Sequence, residues 1–319
     1  MAATAECLNV FVGIDVSKAR LDVHVRPLGE AFVVSQSDAG YGELVRRLKA
    51  HGPAVIAIEA TGGYERLVAA ALAAASLPVV VVNPRQVHSF ARARGENAKT
   101  DTIDAAVIAH FAEAMKPRMK PLKDEDTLAF SELLARRRQI VQMLAAEKNR
   151  AFRVASRPDL QKSIARIVDA LERELATLDG DIDSAVKASP VWSENEDLLA
   201  SVPGVGKVIA RTLIAEMPEL GTLNRKQVAA LAGLAPRTRT SGQWRGKSMI
   251  GGGRSVPRTV LFLAAMVAGR YNPDLKDFKL RLLNAGKAKK AVLIAIARKL
   301  LTILNAIIRD KKPWTQKTA

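Results

Sequence analysis

NVFVGID at residues 9–15, AVIAIEATG at 54–62 and KTDTIDA at 99–105 decide how this chain folds. The first two are apolar runs of strand length, and each closes on an acid, Asp15 in one and Glu59 in the other. An acid at the end of a hydrophobic strand is costly to bury uncompensated, and converging carboxylates repel one another unless hard cations neutralise them. The third run carries Asp101 and Asp104 at the start of a helix-patterned segment. At i and i+3 their side chains share a helical face, about 4.5 Å apart along the axis, so both can serve one metal cluster. Asp101 taken alone also reads as an N-cap or first-turn acid. The four acids together point to a site for Mg2+ or Mn2+. Two such ions about 3.5–4 Å apart cut phosphodiesters by stabilising both attacking and leaving oxygens.

Outward from these runs the pattern alternates. FVGID, LDVHV and AFVVS read as three successive strands of a meander, and GYGELVRRLKAHG as a helix burying Leu44, Val45 and Leu48 before Gly52 and Pro53 stop it. AVIAIEA follows as a buried strand, ERLVAAALAAA as a helix and PVVVVNP as another buried strand; a polar link then leads to the helix TIDAAVIAHFAEAMK. Continuous apolar runs such as VVVV fit the parallel interior of a mixed sheet with helices on both faces. This α/β order resembles that of ribonuclease H-like nucleases, RuvC-like resolvases among them, and the acids fall where that fold keeps its metals.

Three domains are expected: a metal-binding α/β domain over residues 8–120, a helical coiled-coil segment over 121–190 and a basic, mainly helical domain over 191–319. Ile164, Val168, Leu171, Leu175, Leu178, Ile182 and Ala185 follow steps of four and three, a heptad seam whose stripe needs a partner. That partner is either the preceding helix, folded back near Arg157 and Pro158, or the same segment of another protomer. ARRRQ within it reads as a solvated face or a nucleic-acid contact.

The 319 residues carry 49 Lys and Arg against 32 Asp and Glu, a formal net charge of +17. From Pro236 onward there are 19 of the basic residues and 3 of the acidic ones, so nearly all the excess lies in the last quarter. That asymmetry pairs an acid-bearing half with a basic half suited to a nucleic-acid backbone; interleaved apolar runs argue against a merely solvated tail. A lone Cys7 excludes an internal disulfide framework and a cysteine-based zinc site. No stretch reads as a transmembrane span and no leader is apparent, so a cytoplasmic protein without a membrane partner is expected.

SVPGVGKVIARTLIAEMPEL (201–220) reads as a helix-hairpin-helix in which Gly204, Gly206 and Lys207 meet a DNA or RNA backbone, or as a plain helix connector. PRTRTSGQWRGKSMIGGGRS (236–255) reads as a polar loop. Its Ser241, flanked by Arg237, Arg239, Arg245 and Lys247, is placed to work on a phosphate, because cations stabilise a phosphorane and ease serine deprotonation. A Ser-Gly in such a loop is also ordinary turn chemistry, with Ser248 and Ser255 as local competitors.

IDVSK, IEATGGY, VNPRQVHSFARARGENAKTDTIDA, SVPGVG and LAGLAPRTRTSGQWRGK, in that order, resemble the transposases of the insertion-sequence 110 family from about residue 10 to residue 310. Related pilin-gene invertases of the Piv type share the pattern. The resemblance implies a RuvC-like domain with an Asp-Glu-Asp-Asp set mapping onto Asp15, Glu59, Asp101 and Asp104. A coiled-coil insertion and a C-terminal transposase domain with a nucleophilic serine, mapping onto Ser241, would follow. It further implies recombination of double-stranded donor and target DNA through a covalent phosphoserine. Guidance by a structured bridge RNA and assembly from dimers into tetramers, in which one protomer's serine meets another's metal site, are implied as well. The chain departs from the family at GGGRSVPRTV, where Pro257 stands in a leucine place behind three glycines. A more mobile loop and a loosely placed Arg258 are expected there. Two other readings fit the residues: a hydrolytic RuvC-like nuclease or Holliday junction resolvase using the acids alone, and a noncatalytic nucleic-acid-binding protein.

Overall fold

The computed structural model describes residues 9–95, 101–119, 124–238, 240–241, 244–246 and 248–316, with backbone only at 101–103, 240 and 244–245. Arg239 and Lys247 lie outside the described residues. The chain divides into two compact units, Met1–Leu122 and Lys123–Ala319.

The first unit is built on five strands, β1 (Phe11–Val16), β2 (Arg20–Arg26), β3 (Glu30–Ser35), β4 (Val55–Glu59) and β5 (Val79–Val82), in the spatial order β3-β2-β1-β4-β5. The meander β1-β2-β3 pairs antiparallel, whereas β4 and β5 extend β1 in parallel. Parallel neighbours need crossover helices, and α1 (Asp38–His51) and α2 (Glu65–Ala74) supply them. Ser37 caps α1 by accepting from Gly40 N, and Gly52 ends it in the left-handed conformation. Side chains alternate across a strand, so each strand serves two cores. Val12, Ile14, Val16, Ile56 and Ile58 pack with Tyr41, Leu44, Leu48, Val68 and Leu72 of α1 and α2. Phe11, Ala57, Val80 and Val82 face the other way, onto Val87 of α3 (Pro84–Ala93) and Val107, Ile108, Phe111 and Ala112 of α4 (Asp101–Met115).

Helix α3 occupies the stretch the sequence reads as a polar link. Asn83 accepts from Arg85 N at 2.9 Å and Pro84 sits in the first turn, a start signal that outweighs the polar composition.

The second unit begins with α5 (Glu125–Arg153) and α6 (Pro158–Ala188), which fold back on each other. Phe130 and Leu134 near the start of α5 meet Ile182 and Val186 near the end of α6, and Ile140 meets Leu171 and Leu178, so the helices run antiparallel. Arg137 adds two bonds to Asp179, at 2.5 and 3.2 Å. The internal hairpin, of the two partners open to the apolar seam, is the one observed here.

Helices α7 (Pro190–Ala200), α8 (Lys207–Glu216), α9 (Arg225–Leu231), α10 (Ser255–Tyr271), α11 (Pro273–Asn284) and α12 (Lys289–Asp310) complete this unit around one core. By length and composition α12 could span a membrane, contrary to the expectation that no stretch would. Its apolar residues serve as core: Val292, Ile296, Leu300, Leu301 and Leu304 are buried. Buried Asn305 accepts from Gly221 N at 2.9 Å and donates to Leu223 O at 2.8 Å. Core helices and membrane spans share composition, and burial separates them.

Between α9 and α10 the chain forms a ribbon in place of a loop. β6 (Pro236–Arg237) pairs with β9 (Met249–Ile250), and inside that pair β7 (Thr240–Ser241) pairs with β8 (Trp244–Arg245), both antiparallel.

Candidate active site

Asp15, Glu59 and Asp104 line one cavity of about 320 Å3 in the first unit. Strand alternation explains the convergence. Gly13 and Asp15 point to the α4 side of β1, and Ala57 and Glu59 point the same way from β4. Ile14 pairs with Ile58 across the parallel ladder, so Asp15 and Glu59 follow at the same level of adjacent strands. α4 lies directly on that face: a Cβ at Gly13 would stand 2.2 Å from Ala109 N and 2.3 Å from Ala105 O. Only glycine lets the helix backbone come so near, and that approach carries Asp104 to the strand ends. Asp101 opens α4 one turn earlier, with its side chain outside the described residues.

All three carboxylates are half-buried. Asp15 Oδ1 accepts from Val16 N at 3.0 Å. Thr61 Oγ1 donates to Glu59 O at 3.2 Å, and Glu65 Oε2 accepts from the amides of Thr61 and Gly63 at 3.0 and 2.9 Å, fixing the turn behind Glu59. Among the described residues no three His, Cys, Asp or Glu side chains form a ready-made ion cage. The donor chemistry fits hard divalent cations, since carboxylate oxygens are the ligands Mg2+ and Mn2+ prefer and thiolate or imidazole ligands are not required.

Three residues around the site escaped the sequence reading. Asp22 pairs with Asp15 across β1 and β2, is 3% exposed and accepts from Arg20 Nε at 3.0 Å. Its signal was an acid inside the apolar run LDVHV. Arg85 and His88 of α3 line the same cavity as the acids; they belong to a helix not anticipated.

Ser241 lies in the second unit. It is exposed, and it pairs with Trp244 in the inner ribbon. Arg237 is exposed at the ribbon's base, Arg245 is placed in its backbone only, and the competitors divide: Ser248 is exposed on the return strand side, while Ser255 is built into the first turn of α10.

Gly252 and Gly253 of the triglycine are packed against their neighbours, which corrects the expectation of a mobile loop. A Cβ on Gly253 would meet Gly233 N at 2.4 Å, and one on Gly233 would meet Gly252 O at 2.1 Å. Arg258 Nη1 donates to Gly252 O at 2.7 Å, and Arg254 donates to both oxygens of Glu219 at 2.6 and 2.7 Å. Glycine here permits interlocking backbones with φ of 61–67°, and Arg258 is held by them.

In the PGVG hairpin Gly204 packs closely on α10: its Cβ would fall 2.6 Å from Ala268. Gly206 is the N-cap of α8 and faces open space, and Lys207 Nζ stands 3.7 Å from Glu196. Arg211 of α8, 7% exposed, bonds Glu196 at 2.6 Å and Asp183 of α6 at 2.6 Å.

A family model described as a transposase of the DEDD type of IS110 matches residues 12–155, and one described as a transposase of the IS116/IS110/IS902 family matches residues 196–280. The pilin gene-inverting protein of Moraxella bovis is 30% identical over 97% of this chain and 98% of its own length. An IS900 42 kDa protein of Mycobacterium paratuberculosis is 25% identical over 87% and 89%. The transposase for insertion sequence element IS1111A of Coxiella burnetii is 23% identical over 75% and 73%.

Proposed function

This chain belongs to the IS110 family of transposases, and from that premise we propose that it cuts and rejoins DNA with Ser241 as nucleophile and a carboxylate-held metal centre. The observation that carries the reading is the common cavity of Asp15, Glu59 and Asp104. Asp101, three residues before Asp104, would be the fourth ligand. These acids would hold Mg2+ or Mn2+, which supplies Lewis-acid activation of a phosphodiester.

The Ser241 hydroxyl, exposed in the inner ribbon, attacks the phosphorus. The P–Oγ bond forms as the P–O3′ bond breaks, and the 3′ oxygen leaves as a hydroxyl. Arg237, with the cationic residues that flank the serine in sequence, would offset the charge of the phosphorane. In rejoining, a 3′-hydroxyl attacks the phosphoserine, the P–Oγ bond breaks and the serine is restored. The ester retains the bond energy, so strand exchange needs no nucleotide hydrolysis. A structured guide RNA selects donor and target by pairing, while the basic second unit grips backbone. A composite site, in which the acids of one protomer meet Ser241 of another within a dimer or tetramer, completes the reading.

The test is a protein–DNA adduct on labelled element-junction DNA, resolved under denaturing conditions. Wild type is expected to form it, Ser241→Ala to lose it, and Asp104→Ala to reduce it at least a hundredfold. Adduct persisting in Ser241→Ala excludes that nucleophile. Asp15, Glu59 and Asp104 share one cavity within the first unit, and this favours hydrolytic cleavage as the second reading: cut products free of protein from the Ser241→Ala chain would establish it.

A further inference from the structure

We propose that the α3 wall of the carboxylate cavity is a phosphate-binding subsite, in which Arg85 and His88 hold the non-bridging oxygens of the DNA phosphate on which the acids act. This rests on the reading of Asp15, Glu59 and Asp104 as a metal centre.

Pro84, Val87, His88 and Ala91 recur at i, i+3, i+4 and i+7, one face of α3, and all four line the cavity together with Arg85. Arg85 and His88 are themselves three apart, so their side chains are neighbours on the helix surface. Both are exposed, and among the described residues neither side chain has a hydrogen-bond or ion-pair partner. A guanidinium at the edge of a three-carboxylate cavity would ordinarily pair with one of the acids. Arg85 is left with its donors uncommitted and opening on the same space.

The wall is rigid. Val87 is buried against Val80, Val82, Val107 and Phe111, and Phe90 sets its edge to Phe111 at 5.7 Å and to His110 at 5.4 Å. Arg94 Nη1 lies 2.9 Å from His110 Nε2 at the far end. α3 is thus fixed to the helix that carries Asp104, and its cavity face keeps its distance from the acids. A carboxylate wall by itself repels a phosphodiester. A guanidinium fork matches two oxygens of a tetrahedral phosphate, and an imidazole donates at least one N–H in either protonation state. The cavity therefore has an acidic side suited to cations and a donor side suited to the anion between.

The full-length protein is titrated with Mn2+ alone, followed by electron paramagnetic resonance, and then with thymidine 3′,5′-bisphosphate in the presence of Ca2+, followed by calorimetry. Arg85→Ala/His88→Ala is expected to bind the bisphosphate about tenfold to a hundredfold more weakly, the range for charge-assisted hydrogen bonds. Arg85→Lys falls between the double variant and wild type. Mn2+ affinity stays within about threefold of wild type, because these side chains do not touch the ion. Both residues are exposed, so unfolding temperatures should match. Unchanged bisphosphate affinity overturns the subsite. So does loss of Mn2+ binding in the double variant, which would mean that the pair acts on the carboxylates. Asp104→Ala scores the premise separately: Mn2+ binding retained there removes the metal centre and leaves the bisphosphate comparison standing.

Discussion

Glu65 holds the turn behind Glu59 through two amide donors. Glu65→Ala leaves both amides without that acceptor, and a half-buried charged acceptor of two bonds is worth about 1–3 kcal/mol. The variant should lower the unfolding free energy by that amount, seen as a lower urea midpoint, while Glu65→Gln recovers part of it. At this scale Asp15, Glu59 and Asp104 were legible in the sequence because an acid that closes an apolar strand, or repeats at helical spacing, stands out against its surroundings. Asp22 was not, since its partner Arg20 makes an acid–base pair that reads as surface chemistry. Arg85 and His88 were not, because cavity lining is a property of the helix that carries them. Gly204 carried an ambiguous signal: a glycine beside a helix start suits phosphate approach and close packing equally, and the structure shows the packing, with Ala268 2.6 Å from its Cβ position.

Between elements α4 lies close on β1. Gly13→Ala inserts a Cβ among Ala109 N and Ala105 O, so the helix must lift from the sheet. Overpacking of this kind costs about 1–3 kcal/mol, and the displaced Asp104 should weaken Mn2+ binding in the same titration. A variant with wild-type melting and Mn2+ affinity would contradict this placement. In the second unit Arg211 ties α8 to α6 and α7 through Asp183 and Glu196. Arg211→Met leaves the buried Glu196 carboxylate, among the described residues, only the Lys207 ammonium at 3.7 Å, and breaking a buried pair costs about 3–5 kcal/mol, measurable by urea unfolding. Hydrogen bonding and charge from Arg211 hold the Asp183 carboxyl below its ordinary value of 3.8. A depressed folded value means that its contribution is whole above the ordinary value and fades as pH falls through the depressed one. The stability gap between wild type and Asp183→Asn should be full at about pH 6 and close in more acid solution. A gap that widens on acidification would reverse the assignment. Strands and long helices were readable from periodicity; α3 and the ribbon were not, because a short capped helix and two-residue strands carry too few positions for a period to register.

Across the whole molecule charge is divided as unevenly as the chemistry. Affinity for DNA should fall with salt at a logarithmic slope of about −0.9 per neutralised phosphate. Reversing exposed Lys287, Lys289 and Lys290 to glutamate should lower the slope by about 2–3 and weaken binding. An unchanged slope would place the backbone contacts elsewhere. The sequence by itself determined the mixed α/β first unit, the acids that close its strands, the uneven charge and the family pattern, since these rest on local periodicity and on residues adjacent in the chain. Tertiary structure alone decided the close seat of α4 on Gly13, the lining of one cavity by α3 and the acids, the internal pairing of the long hairpin and the use of α12 as core. Each depends on which faces meet across residues far apart in sequence, and a one-dimensional pattern says that a face is apolar or charged without saying what it will pack against.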